Sequence, residues 1–436
     1  MGGIAAIARE AGHRVTGSDS NVYPPMSDQL RALDIELIEG FDPGQLDMNP
    51  DVVVIGNVMS RGMPIVEQIL NKKISYTSGP AWLAEHVLRD QHVIAVSGTH
   101  GKTTTTAMTA WLLEAAGVEP GYLIGGVAAN FSSTARLGAG KYFVIEADEY
   151  DTAFFDKRAK FMHYGPQTLI INNLEFDHAD IYKDMDAILW QFHQMLRILP
   201  GNGRLIAKAG EVEVDRLLEM GCWTQVERYA ATEKADWVIG RRDDSVTLTD
   251  GKHELQSPAV SLPGTYNLEN AAAALLAAKH VGLDIEQSLQ ALASFRGVKR
   301  RLEHLGRFNG VNVYDDFAHH PTAIARTIEA LHESAQGRVL VVLEPRSNSM
   351  KLGAHRAALK GSLLGADKIW LFQPAGLDWS LEQELADLSV AQVHTELNDI
   401  VNNVAADAQP GDEIVIMSNG GFGGIHALIC KALDMK

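Results

Sequence analysis

The chain has 436 residues, too many for one hydrophobic core, and roughly three domains is the expectation from length. Hydrophobic residues make up 46% and charged residues 21%, which excludes disorder, while a net charge of −17 argues against nonspecific nucleic-acid or acidic-membrane binding. The two cysteines, Cys222 and Cys430, lie far apart, fit a reducing cytosol and offer no metal-ligand spacing. Anionic small molecules remain open as substrates, because local Lys, Arg and backbone N–H groups hold them whatever the overall charge.

Residues 1–3 (MGG) run into a helical pattern (Ile4, Ile7, Ala8) closed by Gly12, and a short strand is predicted at 14–16. Gly17-Ser18-Asp19 follows, so this reads as the second half of a βαβ nucleotide unit with Asp19 after its second strand. A buried strand at 51–55 (DVVVI) places Gly56-Asn57 at a strand's carboxyl end, where open α/β sheets bind ligands; 74–77 is a weaker strand. One small α/β domain is predicted over 1–90.

Residues 93–107, VIAVSGTHGKTTTTA, organise the next domain, 91–296. A β-branched apolar run leads into the turn Gly98-Thr99-His100-Gly101, then Lys102, Thr103, Thr104 and a helix through Leu113. That order forms a phosphate cradle, in which glycine N–H groups and a helix N-terminus converge on anionic oxygens. Lys102 would reach the β/γ-phosphates of a nucleotide and the Thr103 hydroxyl a Mg²⁺ ion. Val96 stands where a glycine is usual, so the loop is a shortened variant; an ordinary strand-to-helix turn is the alternative. The strand at 142–145 ends in EADEYD, where one acid is the expected Mg²⁺ ligand and a solvated loop the alternative. The strand at 169–171 leads into NNLEFDH, where His178 is either structural or a metal or phosphate group. A helix is predicted at 185–199, capped by Asp184 and stopped by Pro200-Gly201, and a β-hairpin layer at 237–262 around Asp250-Gly251. GTYNLEN starts an Ala-rich helix through Ala278, with Asn267 and Asn270 on one side of its first turn; they read either as a cap and a surface residue or as amides that recognise adenine.

The basic stretch 295–301 (FRGVKRR) is a hinge into a last domain, 297–436, with strands at 311–314, 339–343, 368–372 and 413–417. Their ends carry DDFAHHP, EPRSN (with Arg346 and Asn348) and SNGGFGG, the last suited to an anion or to simple chain reversal. No apolar run reaches transmembrane length, and the N-terminus lacks a basic region before an apolar core. A cytoplasmic protein without stable membrane association is therefore predicted.

GTHGKTT, EADEYD, NNLEFDHAD, GTYNLENAAAA, VKRRLE and YDDFAHHPTA, in this order, resemble the Mur ligase family over the whole chain. NVYPPMS, SGPAWL, AFFDKRAKF, EPRSNSMK and MSNGGFGGIH resemble its tripeptide-adding branch more than its L-alanine-adding one. The resemblance implies an α/β protein of three domains. These are an incomplete Rossmann-like domain for a UDP-sugar, a central P-loop ATPase-like domain with an added β layer, and a C-terminal Rossmann-like domain for the amino substrate. It implies an ATP- and Mg²⁺-dependent amide ligase that joins UDP-N-acetylmuramate to L-alanyl-γ-D-glutamyl-meso-diaminopimelate in peptidoglycan recycling. The rivals are a phosphate-loop ATPase or kinase acting on another acceptor, and relatives that add L-alanine alone or glutamate to folate.

By the same resemblance, Lys102 binds the β/γ-phosphates, Thr103 and Glu146 a first Mg²⁺, and His178 a second. Asn267 and Asn270 lie on the adenine side, Arg301 reaches the γ-phosphate, and Asp316 lies near the ribose and linker. Several relatives carry a carbamylated lysine on the helix after the DH motif, but 188–197 holds no lysine, with Gln191 and His193 available instead. Arg346 is either a bidentate clasp for a diaminopimelate carboxylate or a structural loop arginine. Relatives also begin with an apolar strand and glycine loop ahead of the Met-Gly-Gly found here. The expectation is a chain short at its N-terminus, which binds ATP better than its UDP-muramoyl substrate.

Overall fold

The computed structural model describes residues 1–22 and 26–435. The middle of the branch-marking stretch NVYPPMS, residues 23–25, lies outside the described residues. The chain forms two compact units. One comprises Met1–Leu174, Asp186–Val260 and Glu269–Arg296; the other Glu175–Met185, Ser261–Leu268 and Gly297–Lys436. The segments 175–185 and 261–268 thus group with the C-terminal part of the chain and not with their sequence neighbours.

The first unit is built on a ten-stranded sheet. Its centre is the strand His92–Ser97, paired in parallel with Thr168–Ile171 on one side and Tyr142–Glu146 on the other. With both edges and both faces covered, Val93, Ile94, Ala95 and Val96 are buried, which is why the run is apolar without alternation. Among the parallel strands that escape the sequence pattern are Arg204–Lys208 and Gln225–Ala230. Charged residues interrupt the apolar signal in both, because their long stems bury while their heads reach polar partners. The predicted hairpin strands, Trp237–Arg242, Ser245–Thr249 and Glu254–Ala259, extend the same sheet at its edge.

The helix Lys102–Ala115 begins with four threonines at 103–106, poor helix formers by propensity. Burial against the sheet overrides that preference, and Thr106 and Thr109 donate back to the carbonyls of Lys102 and Thr105 at 2.7 and 2.8 Å.

Toward the N-terminus, Thr16–Asp19 pairs in parallel with Glu36–Glu39, and Val53–Ile55 with Tyr76–Ser78, as two separate two-stranded sheets. The predicted strand at 14–16 is displaced: Gly17-Ser18-Asp19, placed after the strand by the sequence pattern, is itself extended because it pairs with Leu37–Glu39. The helix Gly2–Glu10 packs on the edge of the large sheet. A Cβ on Gly3 would lie 2.5 Å from Leu123, and the Leu137 N–H donates to Glu10 at 2.6 Å.

The second unit carries a six-stranded sheet ordered Glu303–Phe308, Val311–Asp316, Glu413–Met417, Val339–Leu343, Lys368–Phe372, Ala391–His394, parallel except for the first strand. The first and last strands were absent from the sequence reading, since both are half-exposed edge strands without a continuous apolar run. Val339, Val341 and Leu343 face one core and Leu340 and Val342 the other, the period-two pattern of a sheet covered on both sides.

At the lower edge of the first unit's central strands, His92 Nε2 and His280 Nδ1 share the Thr168 hydroxyl at 2.8 and 2.7 Å. A hydroxyl has one proton to give, so at most one of the two rings accepts from it, and a ring that accepts is neutral. Burial, then His280 and Lys141, lower the His92 pKa from 6.5 to about 4; burial, then Arg204, lower that of His280. The unfolded chain takes up these protons first, so their contribution to stability is complete above pH 6.5 and is lost as pH falls toward 4. His92→Gln should flatten the acid limb of a melting-temperature profile over that window.

Candidate active site

The turn between the central strand and the Lys102–Ala115 helix is shaped by what surrounds it. Gly98 and Gly101 adopt φ of 126° and 81°, and Cβ atoms there would strike neighbours. At Gly98 the clash is with the Asn173 carbonyl at 2.9 Å; at Gly101 it is with the Asn270 amide oxygen and with Asn172 Nδ2 at 2.8 Å. Asn173 takes the His100 N–H on its side-chain oxygen at 2.8 Å and the Thr99 N–H on its carbonyl at 3.0 Å. Asn172 Nδ2 donates to Thr105 at 3.0 Å, Thr105 donates to Asn270 at 3.0 Å, and the Tyr229 hydroxyl donates to Asn172 at 2.9 Å. Asn172, Thr105, Tyr229 and Asn270 are all buried, so the loop is held by a satisfied polar network in a low-dielectric setting.

Lys102 Nζ donates to the Gly98 carbonyl at 2.6 Å and to both Glu149 oxygens at 3.0 Å. Burial opposes its charge, but Glu149, Asp148 and Glu146 together carry its pKa above the ordinary lysine value. Asp148 pairs with Lys160 at 2.8 Å; against the cost of burial, Lys160 and Lys102 hold its pKa below the usual carboxylate range. The Thr103 hydroxyl donates to Glu146 at 3.1 Å, and Glu146 also accepts the Gly125 N–H at 2.8 Å. A hydroxyl and a carboxylate adjoining a glycine cradle are hard oxygen donors, a set that fits Mg²⁺ beside phosphate.

In the second unit, Asp316 accepts the Leu302 and Ala318 N–H groups at 2.6 and 2.7 Å. Its burial raises its pKa to about 6, against the pull of Arg301 and of those two donors. The Arg301 guanidinium lies 4.7 Å from the Phe317 ring centre. Glu344 is buried and accepts the Ser418 hydroxyl at 2.6 Å. Arg346 is exposed, and its side chain lies against Gly420. Asn348 donates to Asp180 at 3.0 Å. Asp177 accepts from Ser349 at 2.6 Å and from the His178 N–H at 2.7 Å, and His355 lies at 3.4 Å. Burial works against the Asp177 charge, but His355, His178 and Ser349 hold its pKa far below the ordinary range. His178 itself has φ of 56°, a left-handed conformation forced at the turn of this segment.

Family models match three successive stretches: "Mur ligase family, catalytic domain" over residues 1–91, "Mur ligase middle domain" over 96–278 and "Mur ligase, glutamate ligase domain" over 300–420. The chain is 49% identical to the UDP-N-acetylmuramate–L-alanyl-γ-D-glutamyl-meso-2,6-diaminoheptandioate ligase of Escherichia coli K12, across 100% of this chain and 96% of that one. The chain belongs to the Mur ligase family. A crystal structure of a murein peptide ligase from Psychrobacter arcticus 273-4 matches with a TM-score of 0.76 and 42% identity, covering 100% of this chain and 96% of that one. The UDP-N-acetylmuramate–alanine ligase MurC of Thermotoga maritima, at 21% identity, shares the fold with a TM-score of 0.79 over 99% of this chain and 96% of that one.

Within this Mur ligase, the first unit brings Lys102, Thr103, Glu146 and Asn270 to one loop, with Thr104 half-buried behind them. Asn270 is buried beneath the loop, which overturns a surface role, and Asn267 lies inside its helix, donating to the Pro263 carbonyl at 2.8 Å, not at the cap. Asp19 and Asn57 are both exposed. His193, one alternative to the absent lysine, stacks on Trp223 at 5.9 Å between ring centres. Sequence reasoning missed Glu149, Asn172, Asn173 and Tyr229. The first three stood inside quoted motifs, but only pairing across strands shows what they hold.

Tyr229→Phe removes the proton that satisfies the buried Asn172 oxygen and should cost about 1–3 kcal/mol. Urea denaturation measures the loss, and weaker ATP binding should accompany it.

Proposed function

We propose that this Mur ligase joins UDP-N-acetylmuramate to L-alanyl-γ-D-glutamyl-meso-diaminopimelate, using ATP, in peptidoglycan recycling. The observation that carries the reading is 49% identity along the whole chain to the E. coli ligase named for that substrate pair. On this reading, residues 1–90 take the UDP-sugar, 91–296 ATP and 297–436 the peptide. Among the described residues no helix is long and apolar enough to cross a membrane, and the cytoplasm, where ATP and nucleotide sugars occur, is the proposed location.

The chemistry follows from joining a carboxylate to an amine. A muramoyl carboxylate is a poor electrophile, so its oxygen first attacks the γ-phosphorus of ATP, expelling ADP and leaving an acyl phosphate. The peptide's free amine then attacks the carbonyl carbon, and the tetrahedral intermediate expels phosphate as the nitrogen loses a proton. Lys102 supplies positive charge where phosphoryl oxygens gather, and the N–H groups at the N-terminus of the Lys102–Ala115 helix orient them; this is positioning and electrostatics. In the loop as described, Glu149 occupies the ammonium that nucleotide phosphates would claim. Thr103 and Glu146 would hold Mg²⁺, which when bound neutralises phosphate charge; His178 is the candidate for a second ion. Arg301 is assigned to the γ-phosphate, Asp316 to the ribose side, Asn267 and Asn270 to the adenine side, and Asp19 and Asn57 to the UDP-sugar.

A product assay that offers UDP-N-acetylmuramate with alanine, dipeptide and tripeptide in parallel tests the reading. Amide formation with tripeptide is expected; ADP release indifferent to the amine would instead indicate an ATPase or kinase.

Lys102→Ala should abolish ADP release. Because Glu149 then loses its buried cation, stability should also fall by about 3 kcal/mol, so activity is compared at a temperature where circular dichroism shows a folded variant. Arg346 is assigned to the distal carboxylate of diaminopimelate as a bidentate pair. Arg346→Lys should raise the KM for tripeptide about tenfold, with kcat nearly unchanged; an unaltered KM rejects the assignment.

A further inference from the structure

The segment Gly297–Leu302 is strained in a way its contacts over-determine. Arg300 and Leu302 adopt φ of 60° and 51°, the left-handed region that side chains with a Cβ avoid. Arg300 is fixed on every side. Its N–H donates to Glu303 at 2.8 Å, and its carbonyl accepts the Phe317 N–H at 2.8 Å. Its Nε lies 3.4 Å from Asp315, which is also held by His426 at 3.1 Å, and its guanidinium lies 5.2 Å from the Phe317 ring centre. The remaining end, Nη2, donates to two backbone carbonyls, those of Ser418 at 2.6 Å and Gly420 at 2.7 Å.

That grip lands on the backbone under Arg346. A Cβ built on Gly420 would lie 2.5 Å from Arg346 Nη1, 2.6 Å from its Cδ and 2.7 Å from its Cζ, so the arginine rests directly on the glycine. Ser418 is fixed from its other side, donating to Glu344 at 2.6 Å while accepting the Gly420 N–H at 2.9 Å. Arg346, by contrast, has no hydrogen-bonded or ionic partner among the described residues, so the surface beneath it sets where its guanidinium points.

We propose that Arg300 is a positioning residue for peptide selection: by holding the Ser418 and Gly420 carbonyls, it fixes the glycine platform that aims Arg346 at the peptide's distal carboxylate. The inference rests on the assignment of Arg346 to that carboxylate. The left-handed backbone of Arg300 is held by Glu303 and Phe317 while its Nη2 reaches both carbonyls. A lysine ammonium keeps a point charge for the two carbonyls but loses the Nε contact with Asp315 and the planar face against Phe317.

The test compares the diaminopimelate tripeptide with the analogous tripeptide ending in lysine, which lacks the distal carboxylate. The wild-type protein, Arg300→Gln, Arg300→Lys, Gly420→Ala and Arg346→Lys are assayed with each, and KM for ATP is followed alongside. Gly420 is not left-handed, so alanine there adds no backbone strain, and the nearest atoms its Cβ meets belong to Arg346. Arg300→Gln and Gly420→Ala should each lower discrimination between the peptides about tenfold, through KM for the diaminopimelate peptide, with KM for ATP within about twofold of wild type. Arg300→Lys should fall between. If Arg346→Lys lowers discrimination but Arg300→Gln only lowers the melting temperature, Arg300 is structural and the inference is overturned. If Arg346→Lys leaves discrimination intact, the underlying assignment fails and the inference with it. Should Arg300→Gln not fold, Gly420→Ala decides: undiminished discrimination overturns the platform.

Discussion

A turn with no room for a Cβ governs the nucleotide end of this protein. Gly101 sits against the amides of Asn270 and Asn172, and Gly98 against the backbone of Asn173. The constraint works in both directions. Small residues let the asparagines approach, and the asparagines then take up the loop's donors, so the turn holds one conformation before any phosphate arrives. The N–H groups of the helix N-terminus that such a turn holds in place need not be rearranged during reaction, which is where electrostatic catalysis gains its advantage. Tyr229, on a strand two positions across the sheet from Asn172, completes the network and ties loop geometry to sheet register.

Charge is handled by pairing at short range. Lys102 with Glu149 and Lys160 with Asp148 place two cations among the acids of EADEYD, so a stretch dense in carboxylates stays folded in a largely buried site. Such pairs add little net stability, because each ion has given up its hydration, but losing one partner is costly. The arrangement therefore favours exchange of one anion for another at Lys102 over simple vacancy. Asp316 follows a different logic: buried and accepting two N–H groups, it retains a pKa of about 6, which leaves its charge sensitive to its surroundings.

The second unit is assembled from three separated stretches of chain, and hydrogen bonds show how the small pieces are held. Asp177 takes Ser349 and the backbone of His178, and Thr322 donates to Glu175 at 2.6 Å. A segment that sequence continuity assigns to the central domain is thereby tied to the ends of C-terminal strands and helices. The strained Arg300 and the Ser418–Gly420 backbone continue that theme, with one guanidinium replacing a longer run of packed side chains.

Local pattern was enough to read the elements that carry chemistry. The apolar run before GTHGKTT, the helix after it, the acids of EADEYD and the four inner C-terminal strands all depend on near neighbours, and periodicity and glycine placement report near neighbours faithfully. Strands with charged ends, such as Arg204–Lys208 and Gln225–Ala230, were hidden because their stability comes from adjacent strands and long-range partners. Partnership was likewise illegible. Nothing in the spacing of Lys102 and Glu149, of Asn172 and Tyr229, or of Arg300 and Gly420 fixes which groups meet, since each pair joins when strands from distant parts of the chain come into register. Sequence alone determined which residue types were available and on which kind of turn they stood. Tertiary structure decided which asparagine was buried beneath the loop, which acid held the lysine and which carbonyls Arg300 gripped. Those outcomes depend on desolvation and on distances between chain segments far apart in sequence.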